Sequence, residues 1–236
     1  MSKRTDLFEA IRPFAPASRF STDHVKAIDA LADSFGIARE GMALTVRGAA
    51  EVVSHEAIVR EAYKDSVGVW TWSVGLTKAS GVDPMDYKDN PASVETCLQA
   101  YVNRLNAVYV PAVLNAFGTT ALSEAQFAAA VSFHYNTGAI AKADWVKSYI
   151  NGNVTKARRE FMNWSKPSEI IPRREAERDL FFDGKWSGDG TALLVPVAKP
   201  SYKPAFAKAV RVDVMGPLRD VMVSVTPDTS STPLWR

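Results

Sequence analysis

Residues 55–71 read HEAIVREAYKDSVGVWT, and the order of helix, turn and strand along this stretch decides how the rest of the chain is arranged. Apolar residues at helical spacing from Thr45 predict a helix over about 45–62. The run KDSVG at 64–68 then breaks it, because glycine and short polar side chains favour turns. After the break, VWTWSVGLT at 69–77 places β-branched and aromatic residues on both sides of a glycine, which predicts a short hairpin. Glu56 is therefore expected near a helix end, Asp65 in the turn and Thr71 at the start of the hairpin. A helix end, a turn and a strand can converge on one cleft between a β lobe and a helical lobe.

Working outward, residues 1–45 read as an N-terminal helical arm. Leu7, Ile11 and Phe14 share one helical face, and Ser21 or Thr22 is placed to cap a second helix carrying Val25, Ile28, Leu31, Ala32 and Phe35, with Gly36 and Gly41 near its end. The stretch KASGVDPMDYKDNP, 78–91, is turn-rich and reads as irregular. From Ser93 to about Asp183 the pattern is helical. One helix runs through Leu98, Tyr101, Leu105 and Val108, and another starts at Pro111. Ser123 and Gln126 form a capping box ahead of a helix that Gly138 stops, with further helices at about 142–150 and 154–163. The last, about 172–182, opens on Pro172, a favoured first-turn residue. Residues 186–236 are proline-rich with extended runs such as LLVPV and VRVDV, and read as a C-terminal strand-and-loop extension ending in a loose tail. The expected architecture is α+β: a small β-hairpin lobe plus a larger helical lobe at 46–185, flanked by an N-terminal arm at 1–45 and a C-terminal extension at 186–236.

Composition narrows the function. The chain has 236 residues, 47% of them hydrophobic, enough for a substantial core, and its net charge of +2 is too small to argue for nucleic acid. The lone cysteine, Cys97, forms no internal disulfide and reads as a small buried side chain. No apolar run follows the basic N-terminus and none is long enough to span a bilayer, so neither a secretory signal nor stable membrane insertion is expected. His55-Glu56 begins like a zinc-protease helix, but Val59 stands where the second histidine is needed. The three histidines and one cysteine are widely spread, and no metal or other cofactor is expected.

Glu56 and Asp65 are unlike carboxylates of the kind glycoside hydrolysis requires. One must hold a proton for the leaving oxygen, and the other must stay ionised to attack or to hold a water. A partly buried glutamate suits the first role, because desolvation favours the protonated form, and an aspartate in a polar turn suits the second. The Thr71 hydroxyl can both accept from and donate to a water. Spacing alone does not separate such a pair from solvated surface carboxylates.

The stretch resembles the active-site signature of the phage-type lysozymes, glycoside hydrolase family 24. That pattern is Glu, eight residues, Asp, five residues, Thr, which Glu56, Asp65 and Thr71 match, with Tyr63, Gly68 and Gly75 also in place. The resemblance continues in LSEAQFAAAVSFHYNTG at 122–138, in FMNW at 161–164 and in RREAERDLF at 173–181, and spans about residues 47–183 in order. It implies a two-lobed lysozyme fold and cleavage of the β-1,4 bond from N-acetylmuramic acid to N-acetylglucosamine in bacterial peptidoglycan. Glu56 would be the general acid, with Asp65 and Thr71 handling the water and inversion the favoured outcome. Arg173 aligns with the family arginine that reaches the catalytic Glu, and the adjacent Arg174 is the alternative. The chain departs from the family's TIGYGHT at 71–77, which here reads TWSVGLT, so Ser73 replaces a glycine and Leu76 the usual histidine.

Four residues are candidates for substrate binding: Asn136, Arg173, Trp70 and Tyr135. The Asn136 amide is suited to an N-acetyl group, or alternatively to capping its helix near Gly138. Trp70 and Trp72 are suited to stacking on sugar rings, but they share one strand face, so at least one belongs to the core. His134 reads as a packed or surface histidine. The expected partner is the glycan strand of peptidoglycan, acted on by a monomer. Without a secretory signal, the expected setting is an endolysin held in the host cytoplasm until it reaches the wall. The rival readings are a lytic transglycosylase, which needs neither Asp65 nor Thr71, and a non-catalytic wall-binding protein that keeps the fold.

Overall fold

The computed structural model describes residues 43–223 continuously, together with Leu7, Ala10, Ile11, Phe14, His24, Ala27, Ile28 and Leu31. The chain divides into two units between Ala43 and Leu44. In the first, Leu7, Ala10 and Ile11 are helical, as are His24, Ala27, Ile28 and Leu31. Phe14 does not continue the Leu7–Ile11 helical face. It stands in a 3-10 turn, 85% exposed, and the preceding proline in the sequence has no N–H to extend a helix. The expected cap at Ser21 or Thr22, the positions Val25, Ala32, Phe35, Gly36 and Gly41, and the expected tail beyond residue 223 lie outside the described residues.

The second unit opens with α1 (Val46–Ser54), capped by Thr45, whose hydroxyl accepts from Gly48 N at 2.9 Å. The helix expected to reach residue 62 ends here, and Ala57–Lys64 is instead a strand, β1. The local pattern misses this because β1 is paired on both sides, and one partner comes from the far end of the chain. On one side lies β2 (Trp70–Ser73), antiparallel, with Tyr63 opposite Thr71 and Lys64 opposite Trp70. β2 continues into β3 (Leu76–Thr77) through a tight turn in which Gly75 and Ser73 both have positive φ, 80° and 57°. Ser73 is fully buried there, and its hydroxyl donates to Cys97 O at 2.8 Å, a bond that offsets part of the left-handed strain.

On the other side of β1 lies β4 (Thr191–Leu194), parallel to it, followed by β7 (Val210–Asp213), antiparallel to β4. The sheet order is β3-β2-β1-β4-β7, with β5 (Val197–Ala198) and β6 (Lys203–Pro204) forming a separate hairpin. The segment expected as an appended extension from residue 186 thus supplies two strands of the main sheet and is not a separate layer.

The helical part follows the sequence closely. The turn-rich 78–91 segment contains two 3-10 turns, Lys78–Ser80 and Pro84–Tyr87. Next come α2 (Val94–Arg104), a π-helical turn at Leu105–Tyr109, and α3 (Val110–Phe117). The π turn precedes Pro111, whose ring would clash in an unbroken α-helix. α4 (Glu124–Thr137) starts at the Ser123–Gln126 capping box and stops at Gly138, where φ is 65°. α5 (Asp144–Ile150), α6 (Val154–Phe161) and α7 (Ile171–Asp183) follow, α7 with Pro172 in its first turn. α8 (Met215–Val223) was not expected. Pro217 stands in its first turn, where a proline needs no N–H, and Asp213 accepts from Met215 N and Gly216 N. Leu218 and Val221 bury this helix against α1 and α2.

α4 is the hub of the core. Residues 127–134 are all buried, and Ala128 lets α1 approach so closely that a Cβ on Gly48 would lie 3.3 Å from the Ala128 methyl. Trp145 fills the space beneath, against Phe117, Phe133, Phe161 and Phe181.

α1 also carries a buried carboxylate. Glu51 is 2% exposed and accepts from Ser187 N at 3.2 Å, Ser187 Oγ at 2.5 Å and Gly188 N at 2.8 Å, with His55 Nε2 3.6 Å away. Burial pushes its carboxyl up, but the bonds from His55, Ser187 and Gly188 together outweigh burial and hold it below its ordinary 4.5. A carboxyl lower in the folded than in the unfolded chain adds stability that is complete above the unfolded value. That stability is lost as pH falls through the lower folded one. Denaturant midpoints measured from pH 7 downward are expected to fall below about pH 4.5 more steeply for the wild type than for Glu51→Gln. Parallel curves would contradict this account of Glu51.

Candidate active site

Glu56 sits in the two-residue junction between α1 and β1, where its backbone N–H donates to Val53 O at 3.0 Å. Its side chain is 26% exposed. The first turn of α7 aims Arg173 at it, and Arg173 Nη1 donates to Glu56 Oε1 at 2.5 Å. Arg173 is itself buried. Its Nε donates to Glu177 Oε1 at 2.9 Å, and its Nη2 lies 3.4 Å from both Ser132 O and Ser132 Oγ. Burial opposes the Arg173 cation, but the charges of Glu56 and Glu177 and the hydrogen bonds to them together outweigh it and raise its pKa.

The adjacent Arg174 does not reach Glu56. It donates to the other oxygen of Glu177, to Trp164 O at 3.1 Å and to Asn136 Oδ1 at 2.6 Å, and its guanidinium lies over the Phe133 ring at 4.6 Å. Glu177 is fully buried, receives both arginines and also accepts from Ser132 Oγ at 2.6 Å. Sequence reasoning quoted Glu177 in a motif but gave it no role. The signal that could have found it was its helical spacing, four after Arg173 and three after Arg174.

Asp65 is held by its own turn. Its Oδ1 accepts from Val67 N at 3.0 Å and Val69 N at 2.8 Å, and its backbone accepts from Gly68 N, where φ is 84°. Oδ2 accepts no hydrogen bond among the described residues and remains available to a ligand. Thr71, buried, donates from Oγ1 to Val69 O at 3.1 Å, so Val69 fixes both groups, one through its N–H and one through its carbonyl. The pairing of Tyr63 with Thr71 places Tyr63, Asp65 and Thr71 on one face of the β1–β2 hairpin. Tyr63 reports that this face also approaches Glu56. Its phenol is pushed up to about 12 by burial, then by the charges of Glu56 and Asp65.

Tyr135, from α4, lies on the same side. Its hydroxyl donates to Val74 O, and burial, followed by the Glu56 charge, raises its phenol well above the ordinary value. Asn136 spends its carbonyl oxygen on Arg174 and does not cap the helix, a task left to Gly138. It borders an open cleft of about 400 Å³ shared with Asn163, Trp164 and Lys166.

Trp70 is not part of this grouping. The register that puts Thr71 on the Asp65 face puts Trp70 on the opposite one, where it packs edge-on against Tyr202 at 5.2 Å. Trp72 shares that second face and is buried, stacked on Tyr87 at 3.6 Å. Trp72 is therefore part of the core, while Trp70 is partly buried on the face away from Asp65. Leu76, in place of the family's histidine, is buried in β3, and burial raises the Cys97 thiol to about 12. Among the described residues no group of three or more His, Cys, Asp or Glu side chains is placed to hold a metal ion.

Removing one member of a buried ion cluster leaves an uncompensated charge, at a cost of about 3–5 kcal/mol. Glu177→Gln is expected to lose stability of that order in urea unfolding, because two arginines then face one neutral amide. A loss below about 1 kcal/mol, the scale of an exposed pair, would contradict the cluster as described.

Comparison with known proteins identifies the family and the fold. The family model described as phage lysozyme matches residues 53–177, more than half of the chain. The endolysin of Bacillus phage B103 is 41% identical over 71 residues, so the chain spans only 27% of the length of that curated relative and the match covers 27% of this chain. Among solved structures, the endolysin of the Escherichia coli phage FAHEc1 superposes with a TM-score of 0.55 at 21% identity, covering 63% of this chain and 99% of its own. A P22 phage lysozyme variant gives 0.50 at 23% identity, covering 59% and 98%. The α+β fold is thus lysozyme-like, and the chain belongs to the phage lysozyme family.

Proposed function

We propose that the protein is a muramidase of the endolysin type, hydrolysing the β-1,4 bond from N-acetylmuramic acid to N-acetylglucosamine in the peptidoglycan of the bacterial cell wall. The observation that carries this reading is the pair of unlike carboxylates. Glu56 is partly buried and backed by a buried arginine, whereas Asp65 is held by a polar turn with one oxygen left open.

In this reading Glu56 donates its proton to the glycosidic oxygen. The Glu56 carboxylate that forms as the bond breaks meets Arg173, so the arginine stabilises charge where charge develops. Because Glu177 shares Arg173, the guanidinium is not committed to Glu56 alone before the reaction. Asp65 Oδ2 and Thr71 Oγ1 hold and activate a water that attacks the anomeric carbon from the opposite face, which gives inversion. Asn136, which borders an open cleft, and Tyr135 contact the sugar, and Arg173 acts through Glu56. The name of the similar B103 endolysin fits this activity and a role in releasing phage through the wall.

The test is clearing of purified peptidoglycan, followed by turbidity, for the wild type and Glu56→Gln. Glutamine keeps the shape but has no acid proton to give, so the variant is expected to be slower by about a hundredfold or more. Equal clearing by both proteins would overturn the assignment. Binding to the wall without clearing by either would mean that the fold serves attachment instead.

A further inference from the structure

We infer that the C-terminal segment 186–195 positions Glu56, with Glu51 and Ser187 as positioning residues, by fixing the backbone on both sides of the glutamate. This segment lies beyond residue 177, where the match to the phage lysozyme family ends. The inference rests on Glu56 being the acid.

The anchor before Glu56 is the Glu51 clasp. Three of its donors, Ser187 N, Ser187 Oγ and Gly188 N, come from this one segment, and Ser187 Oγ also lies 3.3 Å from His55 Nε2, on the residue next to Glu56. The approach is close enough to require glycine. A Cβ on Gly188 would stand 2.9 Å from Glu51 Oε2 and 3.3 Å from Ser54 Oγ. Arg47, one turn before Glu51, lies over the Trp186 ring at 4.0 Å, so the segment runs along the last two turns of α1.

The anchor after Glu56 is the parallel pairing of Ala57 with Leu193 and Ile58 with Leu194, extended by Val195 N donating to Ile58 O at 2.9 Å. Ile58, Ala192 and Val195 are all buried. Glu56 is therefore the short free span between two clamped stretches of backbone, and both clamps belong to a single piece of chain. Within the matched region, the strand paired with β1 is β2, on its other edge, and among the described residues the Val59–Ser73 pair is the nearest of those pairings to Glu56. A general acid misplaced by about 1 Å can lose on the order of a hundredfold in rate, so two clamps this near the carboxylate act on turnover and not only on folding.

The test compares wild type, Ser187→Ala, Ser187→Thr and Gly188→Ala in the full chain. It measures kcat and KM on soluble glycan fragments, thermal unfolding, and amide hydrogen exchange across residues 54–58. Ser187→Ala and Gly188→Ala are expected to remain folded, to exchange faster at 54–58 and to lose about tenfold or more in kcat with KM within about twofold. Ser187→Thr keeps the hydroxyl and is expected to recover most of that loss. Folded variants with wild-type kcat and wild-type exchange overturn the inference, as does a kcat loss that only follows the fraction unfolded. If the wild type hydrolyses nothing, it is the muramidase reading that fails. Exchange at 54–58 then still decides whether the segment fixes this stretch of backbone.

Discussion

The contact between Arg173 and Glu56 joins the helical part of the molecule to the start of the sheet. Every other feature of the site is arranged around it. A guanidinium this deeply buried is tolerable only if its charge is met, and Glu177 and Ser132 meet it from the core side while Glu56 meets it from the cleft side. Arg174 completes the account by giving Glu177 a second cation and by tying Asn136 into the same network. The result is a connected group of two arginines and two glutamates, with the Glu56 carboxyl turned toward solvent. Its Arg–carboxylate geometry suits arginine better than lysine, because the planar fork spreads its donors over three nitrogens, whereas an ammonium carries all of its donors on one.

That network fixes the carboxylate from behind, and the sheet fixes it from the side. The start of β1 pairs with β4, so residues 191–194 belong to the same sheet as the strand that follows Glu56. The hairpin on the other edge of β1 supplies the second carboxylate. Val69 holds Asp65 and Thr71 together through one N–H and one carbonyl, and the second Asp65 oxygen accepts no hydrogen bond among the described residues.

What the sequence made legible were the features encoded locally. The Ser123–Gln126 capping box, Pro172 in a first turn and the stop at Gly138 are each set by a residue's own backbone chemistry, and each stands where expected. The Glu56, Asp65 and Thr71 spacing likewise identified a stretch that the fold brings to one region. Features that depend on distant partners were not legible. Residues 57–64 carry a helical pattern but form a strand, paired with β2 at Val59, Tyr63 and Lys64 and with Leu193 and Leu194 at Ala57 and Ile58. Trp70 looked available for sugar until the register of β1 and β2 turned it toward Tyr202. Sequence favoured Arg173 over Arg174 by resemblance alone, since adjacent helical residues differ only in direction, and it did not show that Glu177 binds both.

The central claim is that Glu56, Asp65 and Thr71 deliver a water to a glycosidic bond. Digestion of peptidoglycan in ¹⁸O-labelled water, with mass analysis of the released muropeptides, tests it most directly. Hydrolysis with water as the nucleophile places one heavy oxygen at each new reducing end. Products that end in an anhydro ring and carry no label would contradict the claim, because the sugar's own hydroxyl, and not a water held by Asp65 and Thr71, would then have made the attack.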